Sequence, residues 1–112
     1  MESTLTVRIA GRSDLEELTK LFDQYRQFYQ CAPDLDSARD WLEDNIDQER
    51  STVFVADNGG SLLGFTQLYP TLCSVDLVKY FVLYDLFVDP SARRLGIARA
   101  LMNAASEWAK RQ

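Results

Sequence analysis

A chain of 112 residues is the length of one domain and leaves no room for two ordinary ones. Apolar residues at 46% and charged residues at 26% can fill a core and argue against disorder, and no apolar run approaches the roughly 20 residues of a membrane-spanning helix. A net charge of −5 disfavours nonspecific nucleic-acid binding, while zero histidines and two cysteines remove most zinc and haem sites and all Ser-His-Asp or Cys-His machinery.

In chain order, Leu5-Thr6-Val7-Arg8-Ile9 alternates apolar and polar residues, as a half-buried strand should. Ser13 stands three residues before Glu16, the spacing of a capping box that opens a helix. Leu15, Leu18, Phe22, Tyr25 and Tyr29 recur at helical intervals, so this helix is expected to run to about Tyr29. Pro33 breaks the pattern. Asp36 or Ser37 is placed to cap a second helix with Ala38, Trp41, Leu42 and Ile46 on its apolar face.

Thr52-Val53-Phe54-Val55-Ala56 is β-branched and aromatic, a strand. Asp57-Asn58-Gly59-Gly60 is a hairpin signal, because these residues tolerate the positive φ of tight turns. The returning strand is expected over 61–69, halted by Pro70. After a loop, 80–88 reads as a long apolar strand of the kind that suits a central position covered on both faces, with Asp85 its one charge. Ile97, Leu101, Ala104, Ala105 and Trp108 then share a face of a last helix. The expectation is an α+β domain, sandwich-like, in the order β-α-α-β-β-β-α, with residues 1–112 as a single unit.

Charge is unevenly placed. Residues 1–50 carry six Lys/Arg against twelve Asp/Glu, whereas residues 51–112 carry six against five. Arg93, Arg94 and Arg99 crowd beside Gly96 and suit either a local anion site or a solvated helix start. Cys31 and Cys73 fit no redox or metal spacing, and the N-terminus lacks the basic segment and apolar core of a signal peptide. A cytoplasmic protein with free thiols and no metal site is expected.

The strand at 80–88, the loop at 89–96 and the helix beyond form the informative unit. The first turn of a helix leaves N–H groups without partners, and its dipole adds partial positive charge. Close backbone approach at Gly96 and Ala98, with arginines at the mouth, makes a cradle for a phosphate- or pyrophosphate-sized anion at 93–98.

Arg93-Arg94-Leu95-Gly96-Ile97-Ala98 resembles the Arg/Gln-x-x-Gly-x-Gly/Ala signature of the GCN5-related N-acetyltransferases (GNAT), and Leu86-Phe87-Val88-Asp89-Pro90 looks like that family's usual end of the fourth strand. The resemblance covers essentially the whole chain, most strongly 80–108. It implies the N-terminal part of an acyl-CoA N-acyltransferase fold with a mainly antiparallel sheet. It also implies acetyl-CoA as cosubstrate, with Arg93, Arg94, Leu95, Gly96, Ile97, Ala98 and Arg99 at its pyrophosphate and the main chain of Leu86, Phe87 and Val88 along its pantetheine arm. The acceptor implied is an amine, on a small molecule or a peptide, that attacks the thioester directly.

Relative to the family, the sequence stops after the third helix, short of the usual fifth strand, fourth helix and the tyrosine often found there. The strand at 80–88 is then expected to present an open edge through which two copies pair as a homodimer. Asp85 is the only acid in that strand, and its apolar neighbours would desolvate it, the condition under which a carboxylate becomes a better base. Tyr84 occupies the position of a glutamate in polyamine-type relatives, and alternation sets it opposite Asp85 unless a bulge intervenes. Asp85 suits proton handling, or a structural bond to a helix end or backbone amide. Tyr25, Phe28 and Tyr29 suit an acceptor pocket or plain core packing. Two further readings stay open: a noncatalytic acyl-CoA-binding module, and a strand-swapped structural fragment.

Overall fold

The computed structural model describes residues 5–112. Met1–Thr4, on which part of the signal-peptide reading rests, lie outside them. Four strands, β1 (Leu5–Ile9), β2 (Thr52–Asn58), β3 (Ser61–Cys73) and β4 (Val78–Val88), form one antiparallel sheet in the order β1-β2-β3-β4. Three helices, α1 (Leu15–Phe28), α2 (Leu35–Asp47) and α3 (Ile97–Lys110), complete the expected β-α-α-β-β-β-α order.

The sheet lies between two helical layers, because β2 is apolar on both faces. Val53 and Val55 join Leu15, Leu18, Phe22 and Leu42 beneath α1 and α2, while Phe54 and Ala56 join Ile97, Leu101 and Ala105 beneath α3. The covered strand is therefore β2. β4, whose apolar run suited a covered central strand, is an edge of the sheet among the described residues, in line with the expected open edge, and only Phe87 and Val88 at its end are buried.

Local signals differ from the sequence reading at three points. Ser13 does not cap α1. A 3-10 turn at Arg12–Asp14 precedes that helix, and the Asp14 carboxylate accepts from the Gly11 N–H at 2.8 Å. Asp14 is better placed than Ser13 because it also takes two 2.8 Å hydrogen bonds from Arg8, which reaches Asp57 on β2 as well. The cap of α2 is Asp34, accepting from the Ser37 N–H at 3.1 Å, rather than Asp36 or Ser37. Of the predicted face of α2, Trp41 stays 48% exposed.

Pro70 does not stop β3, which continues to Cys73 and pairs Pro70 with Phe81. Beyond Leu68 the β2 side of β3 has no partner, so a residue without an N–H is tolerated there. The hairpin extension also moves the start of β4 back to Val78.

Candidate functional site

Three ties fix the end of β4 and the start of α3 against each other. The Asp89 N–H donates to the Leu63 carbonyl at 2.8 Å, holding the strand end on β3. The Asp89 carboxylate then accepts from the Ser91 N–H at 2.9 Å, closing the 3-10 turn Pro90–Ala92. Arg93 Nε donates to the Val88 carbonyl at 3.1 Å, and its guanidinium lies over the Phe87 ring, 5.6 Å from the centroid. Gly64 permits this closeness: a Cβ there would stand 2.9 Å from the Phe87 carbonyl oxygen and 3.4 Å from Ile97 Cγ2.

The chain turns into α3 through two left-handed residues, Arg94 at φ 70° and Gly96 at φ 78°. The conformation is free for glycine and costs roughly 1–2 kcal/mol for arginine. The first bond of the helix runs from the Ala100 N–H to the Gly96 carbonyl at 3.0 Å. This leaves the N–H groups of Ile97, Ala98 and Arg99 without intrahelical acceptors. A Cβ at Gly96 would meet nothing within 4 Å, so the space before the helix is open.

That space is part of a cleft of about 490 Å³, bordered by 92–94 and 96–99, by Leu86–Val88, by Tyr25 and Phe28 of α1 and by Tyr29 just after it. The loop and helix start around Gly96 and the predicted aromatic residues thus share one cavity. Leu95 does not border it and is 69% exposed. Along β4, successive backbone groups point to opposite sides. The Asp89 bond to β3 sets Phe87 inward as well, in agreement with its carbonyl beside Gly64, and leaves Leu86 and Val88 facing the open side. The Val88 carbonyl is the one taken by Arg93.

Asp85 lies one step further up the strand. Tyr25 Oη donates to its Oδ1 at 3.0 Å and Gln67 Nε2 to its Oδ2 at 2.9 Å. The Gln67 Oε1 in turn accepts from Ser51 Oγ at 2.7 Å and Asn45 Nδ2 at 3.2 Å. Gln67 is fully buried and Asn45 nearly so, and the chain of donors pairs them both. Burial, and secondly the negative charge of Asp85, pushes the Tyr25 phenol well above the ordinary tyrosine range. Its ring is held edge-on between Phe65 and Phe87.

A bulge does intervene between Tyr84 and its neighbours. Gln67 pairs with Asp85 and Leu68 with Leu83, so Tyr84 has no partner on β3. Tyr84 and Asp85 consequently border the same second cavity, about 410 Å³, together with Phe22, Trp41 and Tyr69. The sequence reading missed Gln67, Asn45 and Ser51. Their only signal was polarity at positions where the strand and helix patterns put residues inside. Among the described residues no group of acids and cysteines could hold a metal ion, and no helix is long and apolar enough to cross a membrane.

Residues 15–112 match the Acetyltransferase (GNAT) family. The uncharacterized N-acetyltransferase YhfO of Bacillus subtilis is 40% identical over 94% of this chain and 70% of its own length. A crystal structure of a probable acetyltransferase superposes with a TM-score of 0.89 at 33% identity, over 95% of this chain and 72% of that one. An aminoglycoside N-acetyltransferase solved in complex with CoA shares the fold at a TM-score of 0.83 and 22% identity, over 99% of this chain and 72% of that one.

Proposed function

Because this chain belongs to the GNAT acetyltransferase family, we propose that it transfers the acetyl group of acetyl-CoA to a primary amine. The observation that carries this reading is the start of α3: three N–H groups without intrahelical acceptors belong to residues that border an open cleft of about 490 Å³. The residues present fit the group. A helix N-terminus behind a left-handed glycine binds a diphosphate through the amides of Ile97, Ala98 and Arg99, and Arg94 and Arg99 add full charges. The outward backbone of Leu86 and the N–H of Val88 are available to the pantetheine amides, the Val88 carbonyl being taken by Arg93, whereas Phe87 contributes its buried ring. That a neighbour with the same fold was solved with CoA supports the assignment.

Acetyl-CoA supplies an activated acyl thioester. The protein's own work is to deliver an uncharged amine to it. An amine arrives as an ammonium ion, and Asp85 is the acid that borders the acceptor side. Its carboxylate accepts the ammonium proton, leaving the nitrogen lone pair free to attack. Tyr25 and Gln67 keep the carboxylate aimed by holding one oxygen each. Tyr84, set out by the bulge, walls the amine's approach. The outward edge of β4, where Val78, Tyr80 and Leu83 are exposed, is where a second copy would pair. Light scattering on a size-exclusion peak tests that dimer, and a single monomer at micromolar concentration would defeat it.

The test of the activity is thiol release from acetyl-CoA in the presence of a panel of amines, with calorimetry for CoA itself. Amine-dependent thiol release and one CoA site per chain are expected. Gly96→Val, which fills the mouth of the cradle and strains the backbone, should abolish CoA binding. Unchanged affinity in that variant would overturn the proposal.

A further inference from the structure

We infer that the second cavity is an aromatic cage for an ammonium ion carried on an apolar body, an alkyl- or arylalkylamine, and that it selects the acceptor. The inference rests on the proposed acetyl transfer and names its substrate class. Trp41, Tyr69, Tyr84 and Phe22 form the walls, and Asp85 is the one acid among the described lining residues. Among the described residues that line the cavity there is no lysine or arginine, the nearest guanidinium being that of Arg50 against the Trp41 ring. Ring faces carry partial negative charge, so a cation resting among several rings beside a carboxylate is attracted on its protein-facing side and stays open to solvent on the other.

The exposure of these rings is what a ligand explains. Trp41 is 48% and Tyr84 68% exposed, so both rings are accessible at the cavity. The bulge is what brings Tyr84 round to Asp85's cavity, where its ring meets Tyr69 edge-on at 5.7 Å. Trp41 already attracts a cation within the chain: the Arg50 guanidinium lies 5.6 Å from its centroid. Arg50 is in turn 3.9 Å from the Asp44 carboxylate, which offsets its charge. The acidic excess of residues 1–50 adds a favourable field for an incoming cation.

The cage also borders Asp85, and Asp85 is hydrogen-bonded to Tyr25 on the wall of the larger cleft. An ammonium held by the rings is therefore beside the carboxylate that accepts its proton and next to the cavity assigned to the thioester. Few polar groups besides the phenols of Tyr69 and Tyr84 line the walls, so amines rich in hydroxyls or acids are poorly matched.

The experiment is calorimetry of the full chain with phenethylamine, with the neutral isostere 2-phenylethanol and with ethanolamine, in the presence and absence of CoA. Phenethylammonium should bind at least about tenfold tighter than either comparison compound. Tyr84→Leu should weaken it by about tenfold, and Tyr84→Phe, which keeps the ring, should restore most of the loss. CoA affinity, measured separately, should be the same in both variants. Equal binding of amine and alcohol, or indifference to Tyr84→Leu while CoA still binds, would overturn the cage alone. Failure of CoA to bind would instead overturn the acetyl-transfer reading beneath it.

Discussion

Tyr25 Oη donates to Asp85 Oδ1 at 3.0 Å, and this one hydrogen bond joins the wall of the larger cleft to the floor of the smaller cavity. It links α1 to the edge of the sheet through a ring packed on Phe65 and Phe87. Because burial and the Asp85 charge both disfavour the phenolate, the donor stays protonated across the range in which amines react.

The raised phenol has a consequence for stability. A group whose folded pKa exceeds its unfolded value of about 10 stabilises the fold fully below that pH and loses the contribution as pH rises through the folded value. Urea unfolding followed from pH 8 upward should therefore show stability falling above about pH 10. The fall should be shallower in Tyr25→Phe, and one slowly titrating tyrosine should disappear from the absorbance change at 295 nm. An identical alkaline slope in the variant would contradict the assignment of this proton.

Asp85→Asn should lower kcat by about 10²–10⁴-fold while leaving CoA affinity within a factor of two or so. The amide keeps the shape and one acceptor oxygen but no longer takes the amine's proton. Steady-state kinetics with a fixed amine, beside calorimetry with CoA, separates the two effects. A matching loss of CoA affinity would show that Asp85 supports the cleft rather than the proton transfer.

Gly64→Ala should disturb the cradle from a distance. The added Cβ would press on the Phe87 carbonyl at 2.9 Å, on Val88 Cγ2 at 3.3 Å and on Ile97 Cγ2 at 3.4 Å, so β3, β4 and α3 cannot all keep their places. A destabilisation of about 1–3 kcal/mol is expected from urea titration, with CoA binding weakened alongside it. Wild-type stability and affinity would mean that the close approach at this point has no bearing on the site.

Most of the fold was legible because its elements repeat a period. β2 alternates between two cores, α1 and α3 carry apolar stripes, and the turn after β2 is written in Asp57-Asn58-Gly59-Gly60. The loop into α3 was legible for a related reason: Gly96 at a helix start, flanked by arginines, has a local meaning, and it is the left-handed residue before the helix. The Asp85 network was not. Gln67 comes from β3, Asn45 from α2 and Ser51 from the residues just before β2, and a buried glutamine shows its partner only when the strands are set in register. Two caps were misplaced because several Asp and Ser residues compete within one turn. Asp14 and Asp34 prevailed through partners outside their own helices, Arg8 of β1 for the first and, for the second, Asp23 of α1, which accepts the Asp34 N–H at 2.9 Å. Pro70 was misread because a strand's edge is a property of its neighbours.

The Arg8–Asp14 pair predicts behaviour on the acid side. The Arg8 guanidinium, aided by the Gly11 N–H, holds the Asp14 carboxyl below the usual carboxylate range. Such a group stabilises the fold above its unfolded pKa of about 3.9, and the contribution is lost as pH falls through the folded value. Asp14→Asn should cost about 1–2 kcal/mol at pH 7, allowing for the partial exposure of Arg8. The difference from wild type should shrink in urea titrations carried below about pH 4. A penalty that stays constant across that window would place the effect in packing rather than charge.

The amides at the start of α3 are the centre of the account, and a ¹H–¹⁵N correlation spectrum titrated with CoA reads them one by one. The largest shifts should fall on Ile97, Ala98 and Arg99, move downfield as hydrogen bonds form, and vanish in Gly96→Val. A spectrum unchanged at those three residues, or shifts confined to another face of the sheet, would contradict it.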